Sequence, residues 1–141
     1  MKIKFILPLA TICVGALLAS SNVRAADLDE KSLQKLMKEV GDIAKRFKPS
    51  QDNKNGAVLA KDATRLAEIN KQVTGFWKSR KFDDAVKLST ESADAATAAA
   101  TAASAGDWDK VKTSVGAVMK NCKACHDAHR EKLEDGGYRI K

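Results

Sequence analysis

The sequence has few of the residues that mark several common classes of protein. Its 141 residues include three cysteines and two histidines, and aromatic residues make up 5% of the chain. Scarce aromatics and dispersed basic residues do not predict nucleic-acid binding. No stretch alternates polar and apolar residues with a period of two, so a sheet is not predicted either. The net charge of +7 needs no explanation beyond solubility.

The first 25 residues have the pattern of a secretory signal. A basic start, MKIK, precedes an apolar run at 5–19 and a small-x-small pattern that ends at Ala25. A membrane helix is the alternative, but the run is shorter than the roughly 20 residues that a span needs. We therefore expect cleavage before Ala26, export to the periplasm, no stable membrane insertion and a single domain at 26–141.

Cleavage would remove Cys13 and leave one cysteine pair. Cys122, Cys125 and His126 form a C-x-x-C-H motif. A disulfide across so short a loop would add little stability, so the pair indicates chemistry rather than a disulfide scaffold. On a helix, all three side chains can address one flat ligand. In c-type haem attachment, the two thiols form thioethers with the haem and the histidine becomes the proximal iron ligand.

Two other kinds of site use similar residues. A dithiol redox pair is expected at the start of a helix that follows a strand, whereas this pair falls late in a predicted helix. A zinc site would take Cys122, Cys125, His126 and His129, but four ligands within eight residues of one helix do not close a tetrahedron easily. Both remain alternatives to haem.

Apolar spacing at i, i+3, i+4 and i+7 predicts an all-α chain. Pro49 and a polar stretch should end the first helix, while Gly106 and Asp107 should end the third and cap the fourth. The DGGYRIK segment at 135–141 is predicted to be a frayed tail. Four helices with short connections predict an antiparallel up-down bundle; the helical patterns cover 28–47, 57–79, 83–104 and 108–133.

If haem is present, its second axial position is either open or filled by a ligand from another helix. Met119 and His129 share the helix of His126, so they cannot reach the far side of the iron; Met119 is expected in the core and His129 near the ring edge or in solvent. Met37 lies on the apolar stripe of the first helix, which neighbours the fourth in such a bundle. Methionines on such stripes usually pack in the core, yet thioether sulfur also binds haem iron, so chemistry alone leaves both roles open.

The segments GAVMKNCKACHDAHR and AGDWDKVKTSVG resemble class II c-type cytochromes, the cytochrome c-prime superfamily. The resemblance implies an exported four-helix bundle with one haem c held through Cys122 and Cys125, and His126 as proximal ligand. Arg130 matches a base of the family pattern, while His129 replaces an aromatic residue. The QKLMKEVG segment is similar to the first helix of the low-spin branch, whose methionine ligand falls on Met37.

The sequence thus predicts a non-enzymatic periplasmic electron carrier with low-spin iron between His126 and Met37. Its partners would be redox proteins that dock near an exposed haem edge ringed by lysines such as Lys120 and Lys123, and the chain would be a monomer or homodimer. One alternative is a five-coordinate protein of the cytochrome c-prime type that binds nitric oxide or carbon monoxide. The other is a zinc-binding or dithiol helical protein.

Overall fold

Four helices dominate the fold. The computed structural model describes residues 28–141, so the predicted signal and its cleavage site lie outside the described residues. A two-stranded antiparallel sheet follows the last helix. The elements are α1 (Glu30–Asp52), α2 (Gly56–Arg80), α3 (Asp83–Ala105), α4 (Trp108–His129), β1 (Arg130–Lys132) and β2 (Tyr138–Ile140). The prediction of an all-α four-helix bundle is confirmed. None of the helices at 30–129 is long and apolar enough to cross a membrane.

The helix ends show which turn signals were interpreted correctly. Gly106 ends α3 with a φ of 73°, and the Asp107 side chain accepts a hydrogen bond from the Lys110 N–H at 3.0 Å, both as predicted. The prediction that Pro49 ends the first helix is wrong, because α1 continues to Asp52. The missing N–H of Pro49 costs one bond only. Its carbonyl still accepts from the backbone and the side-chain amide of Asn53, at 3.1 and 2.9 Å.

The core joins large side chains from α1, α2 and α4 to small ones from α3. The largest fully buried residues include Phe76, Ile43 and Leu66. From α3 the core receives mainly alanines, among them Ala85, Ala96 and Ala99. Small side chains allow α3 to approach α2 and α4 closely, and α2 packs extensively against α3. By contrast α1 and α4 touch sparsely, which leaves space between them.

The chain does not fray after α4. Arg130 pairs with Ile140 and Lys132 with Tyr138, so residues 130–140 form a β-hairpin, which we call the C-terminal hairpin. Gly136 takes a φ of 84° in the turn, a conformation that glycine adopts without strain. The prediction of a frayed tail is therefore wrong. Strands of three residues are too short for a period of two to be visible in the sequence.

Candidate cofactor site

A cavity of about 660 Å³ opens between α1, α4 and the C-terminal hairpin. This volume falls within the range of typical small-molecule and cofactor sites. A second cavity of about 40 Å³ shares four of its lining residues. The shared residues are Met37, Val73, Cys125 and His126. The predicted attachment motif and the predicted distal methionine thus line one continuous region.

Helix α4 presents the two cysteines to this region as half-buried free thiols. Burial raises the pKa of the Cys122 thiol, and burial with the nearby charge of Asp84 raises the pKa of Cys125 to about 11. Reactive cysteine pairs have lowered pKa values and sit at helix starts, where the helix dipole favours a thiolate. These thiols stay protonated at neutral pH, which argues against a dithiol redox pair.

His126 follows Cys125 on the same helix and lines both cavities. Burial, helped by the positive charge of Arg130, lowers the pKa of its imidazole. The ring is therefore neutral at pH 7 and keeps a lone pair for a metal ion. Among residues 28–141, no three side chains of His, Cys, Asp or Glu come together as a metal cluster. The donor set therefore suits one axial ligand to a haem iron better than a closed zinc site.

Helix α1 supplies another wall of the large cavity. Met37 is half-buried and contributes to both cavities, whereas Leu33, one turn earlier, is buried and lines the larger one. Their separation of four residues places both on one face of the helix. Two different side chains of α1 are thus available beside His126, one with a soft sulfur donor and one without a donor atom.

The other candidate ligands have different surroundings. Met119 is 47% exposed, so the prediction that it packs in the core is wrong. It lies on the outer face of α4, whereas Val115 and Val118 face inward. His129 does not meet solvent. It is buried against the rings of Trp77 and Phe82, with both ring centroids 5.2 Å away.

A hydrogen bond to an exposed carboxylate fixes the buried His129 at the edge of the cavity. Its Nε2 lies 2.7 Å from Oδ2 of Asp84, the second residue of α3. The hydrogen bond to His129 lowers the pKa of the Asp84 carboxyl. Forty-five residues separate the two partners, so nothing in the sequence pattern pairs them. The imidazole adds a polar link between α4 and α3.

Sequence reasoning also missed the contribution of the C-terminal hairpin. Its residues form one side of the large cavity. The signal that could have revealed it is the Asp135–Gly136 pair, a common hairpin-turn dipeptide. The two predicted docking lysines are exposed on α4. Lys123 forms an i,i+4 ion pair with Asp127.

The arrangement fits a covalently attached haem. Such attachment needs two accessible thiols, a neutral imidazole and space for the macrocycle. The structure has two half-buried thiols three residues apart, a neutral imidazole beside the second and an adjoining cavity of several hundred Å³. A four-helix bundle with this motif in its last helix belongs to the class of c-type cytochromes. Residues 24–130 match the family model described as Cytochrome C', and the chain belongs to that family. Its cofactor is accordingly haem c.

One curated relative gives further support. A protein named cytochrome c' from Alcaligenes xylosoxydans xylosoxydans is 58% identical over 31 residues, which are 22% of this chain and 24% of the relative. The chain therefore aligns with about a quarter of that relative's length. No solved structure matches the chain significantly. The family is established, whereas the roles of Cys122, Cys125, His126 and Met37 stay predictions.

Proposed function

We propose that the protein is an exported monohaem electron carrier whose iron is held between His126 and Met37. When bound, the haem supplies a one-electron iron couple, and no substrate chemistry is required of the protein. Cys122 and Cys125 anchor the cofactor through thioethers. The observation that carries the proposal is that Met37, on α1, lines the same two cavities as His126, on α4.

Each side chain would contribute a separate physical effect. His126 is neutral and therefore ready to donate its lone pair. A methionine ligand raises the reduction potential of haem iron relative to a second histidine. Apolar groups such as Val73 and Leu33 form part of the cavity walls. With His126 and Met37 as ligands in both redox states, the protein would rearrange little when the haem exchanges an electron.

The second candidate is a five-coordinate protein that binds nitric oxide or carbon monoxide. The description of the family and the name of the relative are both cytochrome c', and they support this candidate better than the first. The buried Leu33 supports it as well, because an apolar group next to the iron would leave the distal position without a ligand. The zinc and dithiol alternatives have little support, given the raised thiol pKa values.

Absorption spectra of the exported protein, reduced and with carbon monoxide added, separate the two candidates. A low-spin spectrum that carbon monoxide leaves unchanged is expected for the carrier. Immediate gas binding would refute Met37 ligation and support the second candidate. A preparation with no Soret band and no mass gain of one haem would contradict both.

Met37→Leu tests the ligand itself. The change nearly conserves volume, so its cost in stability should stay below about 1.5 kcal/mol, but it removes the sulfur. The variant should become high-spin and react with carbon monoxide. Leu33→Val is the matched control, since it alters the same wall without touching a donor atom and should stay low-spin. If Met37→Leu kept the wild-type spectrum, Met37 would not ligate the iron.

We also propose that the protein works in the periplasm with redox partner proteins and is a monomer or homodimer. The exposed lysines Lys120 and Lys123 would steer an acidic partner to the haem edge. Lys120→Glu should then slow electron exchange with an acidic redox protein and weaken its dependence on salt. An unchanged rate would exclude Lys120 from the docking surface.

A further inference from the structure

The two ends of the cavity region differ in chemical character. Around Cys122, the smaller cavity is bordered by neutral residues such as Val40 and Ser92. At the other end, the larger cavity meets the C-terminal hairpin and is bordered by three cationic side chains and by the carboxylates of Glu30 and Asp135. Lys38 comes from α1, and Arg130 and Arg139 come from the two strands.

Haem has a matching asymmetry. The vinyl groups that react with cysteines lie on one edge of the macrocycle, and two carboxylates lie on the opposite edge. Attachment to Cys122 and Cys125 therefore directs the carboxylates away from the cysteine pair. Of the two cavities, one of about 40 Å³ and one of about 660 Å³, only the larger has room for this edge. Its cationic border lies at the hairpin.

Arg139 is the hairpin residue best suited to meet a carboxylate. Its Nε donates to Oε2 of Glu131 at 2.7 Å, which fixes the stem of the side chain and leaves the terminal nitrogens for another acceptor. Lys38, on the facing helix, makes no ion pair within 4 Å in the described part of the chain. Arg130 instead lies over the Tyr138 ring, 4.1 Å from its centroid.

The hairpin is anchored firmly enough to hold a charge in place. The Tyr138 carbonyl accepts from Nε2 of Gln34 at 3.3 Å, which ties β2 to α1. The Lys141 backbone N–H donates to the His129 carbonyl at 3.1 Å, and Nζ of Lys141 donates to the Asp127 carbonyl at 2.9 Å. Ile140 packs against the core. Arg139 thus belongs to an ordered element.

We propose that Arg139, assisted by Lys38, binds the carboxylates of the haem and positions that edge of the cofactor under the C-terminal hairpin. The family match ends at residue 130, so Arg139 lies beyond the part of the chain to which the family model applies. The inference rests on the haem c cofactor and is independent of whether Met37 ligates the iron. Arg139 acts on the cofactor's position and potential and is a positioning residue.

The test is the midpoint potential of the holoprotein. A cation near the haem favours the reduced state, so Arg139→Gln should lower the reduced-to-oxidised ratio at a fixed applied potential on the order of threefold, the scale of a partly exposed charge. For one electron this corresponds to about 28 mV. Arg139→Lys retains the charge and should stay close to wild type. Resonance Raman spectra should show a shifted carboxylate band in Arg139→Gln.

Glu131→Gln is the matched control, because it breaks the same hairpin ion pair without removing the cation. It should leave the ratio unchanged or raise it. An Arg139→Gln variant with the wild-type potential, or a Glu131→Gln variant with an equal fall, would overturn the proposal. A Soret band in every variant would show that haem is bound, so a failure of the Arg139 proposal is distinguishable from a failure of the haem assignment. If the wild type had no Soret band, the Arg139 proposal and the proposed function would both be overturned.

Discussion

Gly56, the first residue of α2, offers a sharp test of how the bundle is packed. An added Cβ would lie 2.6 Å from the backbone oxygen of Ala103 and 4.0 Å from the nearest ring carbon of Trp108. The first distance is too short for any real contact. The obstacle is a backbone carbonyl near the end of α3, so it can move only if α2 and α3 separate. Gly56→Ala should therefore destabilise the protein.

The size of the effect follows from two opposing terms. Replacing a glycine by alanine in a helix normally adds about 0.5–1 kcal/mol of stability. Forcing a methyl group into a closely packed site costs about 1–3 kcal/mol. From central values of about 2 and 0.75 kcal/mol, the net loss for Gly56→Ala should be about 1 kcal/mol. Gly116→Ala, in the interior of α4, has nothing within 4 Å of the new Cβ and should gain about 0.5–1 kcal/mol.

Urea unfolding of both holoproteins, followed by circular dichroism at a helix band, measures the difference. The two variants should shift the midpoint in opposite directions with an unchanged slope. In thermal unfolding, the loss corresponds to about 4 °C per kcal/mol. If Gly56→Ala were as stable as Gly116→Ala, the close approach of α2 to Ala103 would be refuted.

Three further predictions concern the site. The His129 hydrogen bond lowers the pKa of Asp84. The stabilisation from this hydrogen bond is therefore complete above about pH 4 and lost as pH falls through the lowered pKa. Asp84→Asn should flatten this acid limb in urea titrations from about pH 2 to 5. The Cys125 thiol has a pKa of about 11 against an ordinary 9.0. In the haem-free chain it should therefore react with iodoacetamide at pH 8 about a hundredfold more slowly than a free thiol, and unfolding in urea should restore the rate. A fast reaction of the folded chain would contradict the burial of Cys125. Replacing both Cys122 and Cys125 by alanine should abolish haem staining on a denaturing gel, whereas a stained band would show attachment elsewhere.

Features of the fold that depend on neighbouring residues could be predicted from the sequence, whereas features that depend on contacts between distant residues could not. The α3–α4 boundary followed from Gly106 and Asp107, because a left-handed turn and an N-cap are local effects. The C-terminal hairpin did not, because strands this short are stable only through contacts with α1 and α4. Pro49 misled for a different, local reason: its carbonyl is satisfied by Asn53, four residues on, so the helix continues past the proline.

The exposure of Met119 and the burial of His129 show that tertiary contacts also decide the surroundings of single residues within one helix. The sequence predicted Met119 in the core and His129 near the ring edge or in solvent. The face that α4 turns inward depends on where α2 and α3 lie, so Val118 is buried and Met119 is not. His129 is buried only because Trp77, Phe82 and Asp84 surround it. Helical spacing assigns residues to faces but does not specify what each face meets.

The sequence by itself determined the helical class and the attachment motif, since apolar spacing and C-x-x-C-H are properties of consecutive residues. It also singled out Met37, through a resemblance in the first helix. Only the tertiary structure decided which groups share a cavity with His126, because α1, α2, α4 and the hairpin meet there from distant parts of the chain. That meeting places Met37 and Leu33 on one wall and Arg139 at the cavity's cationic end.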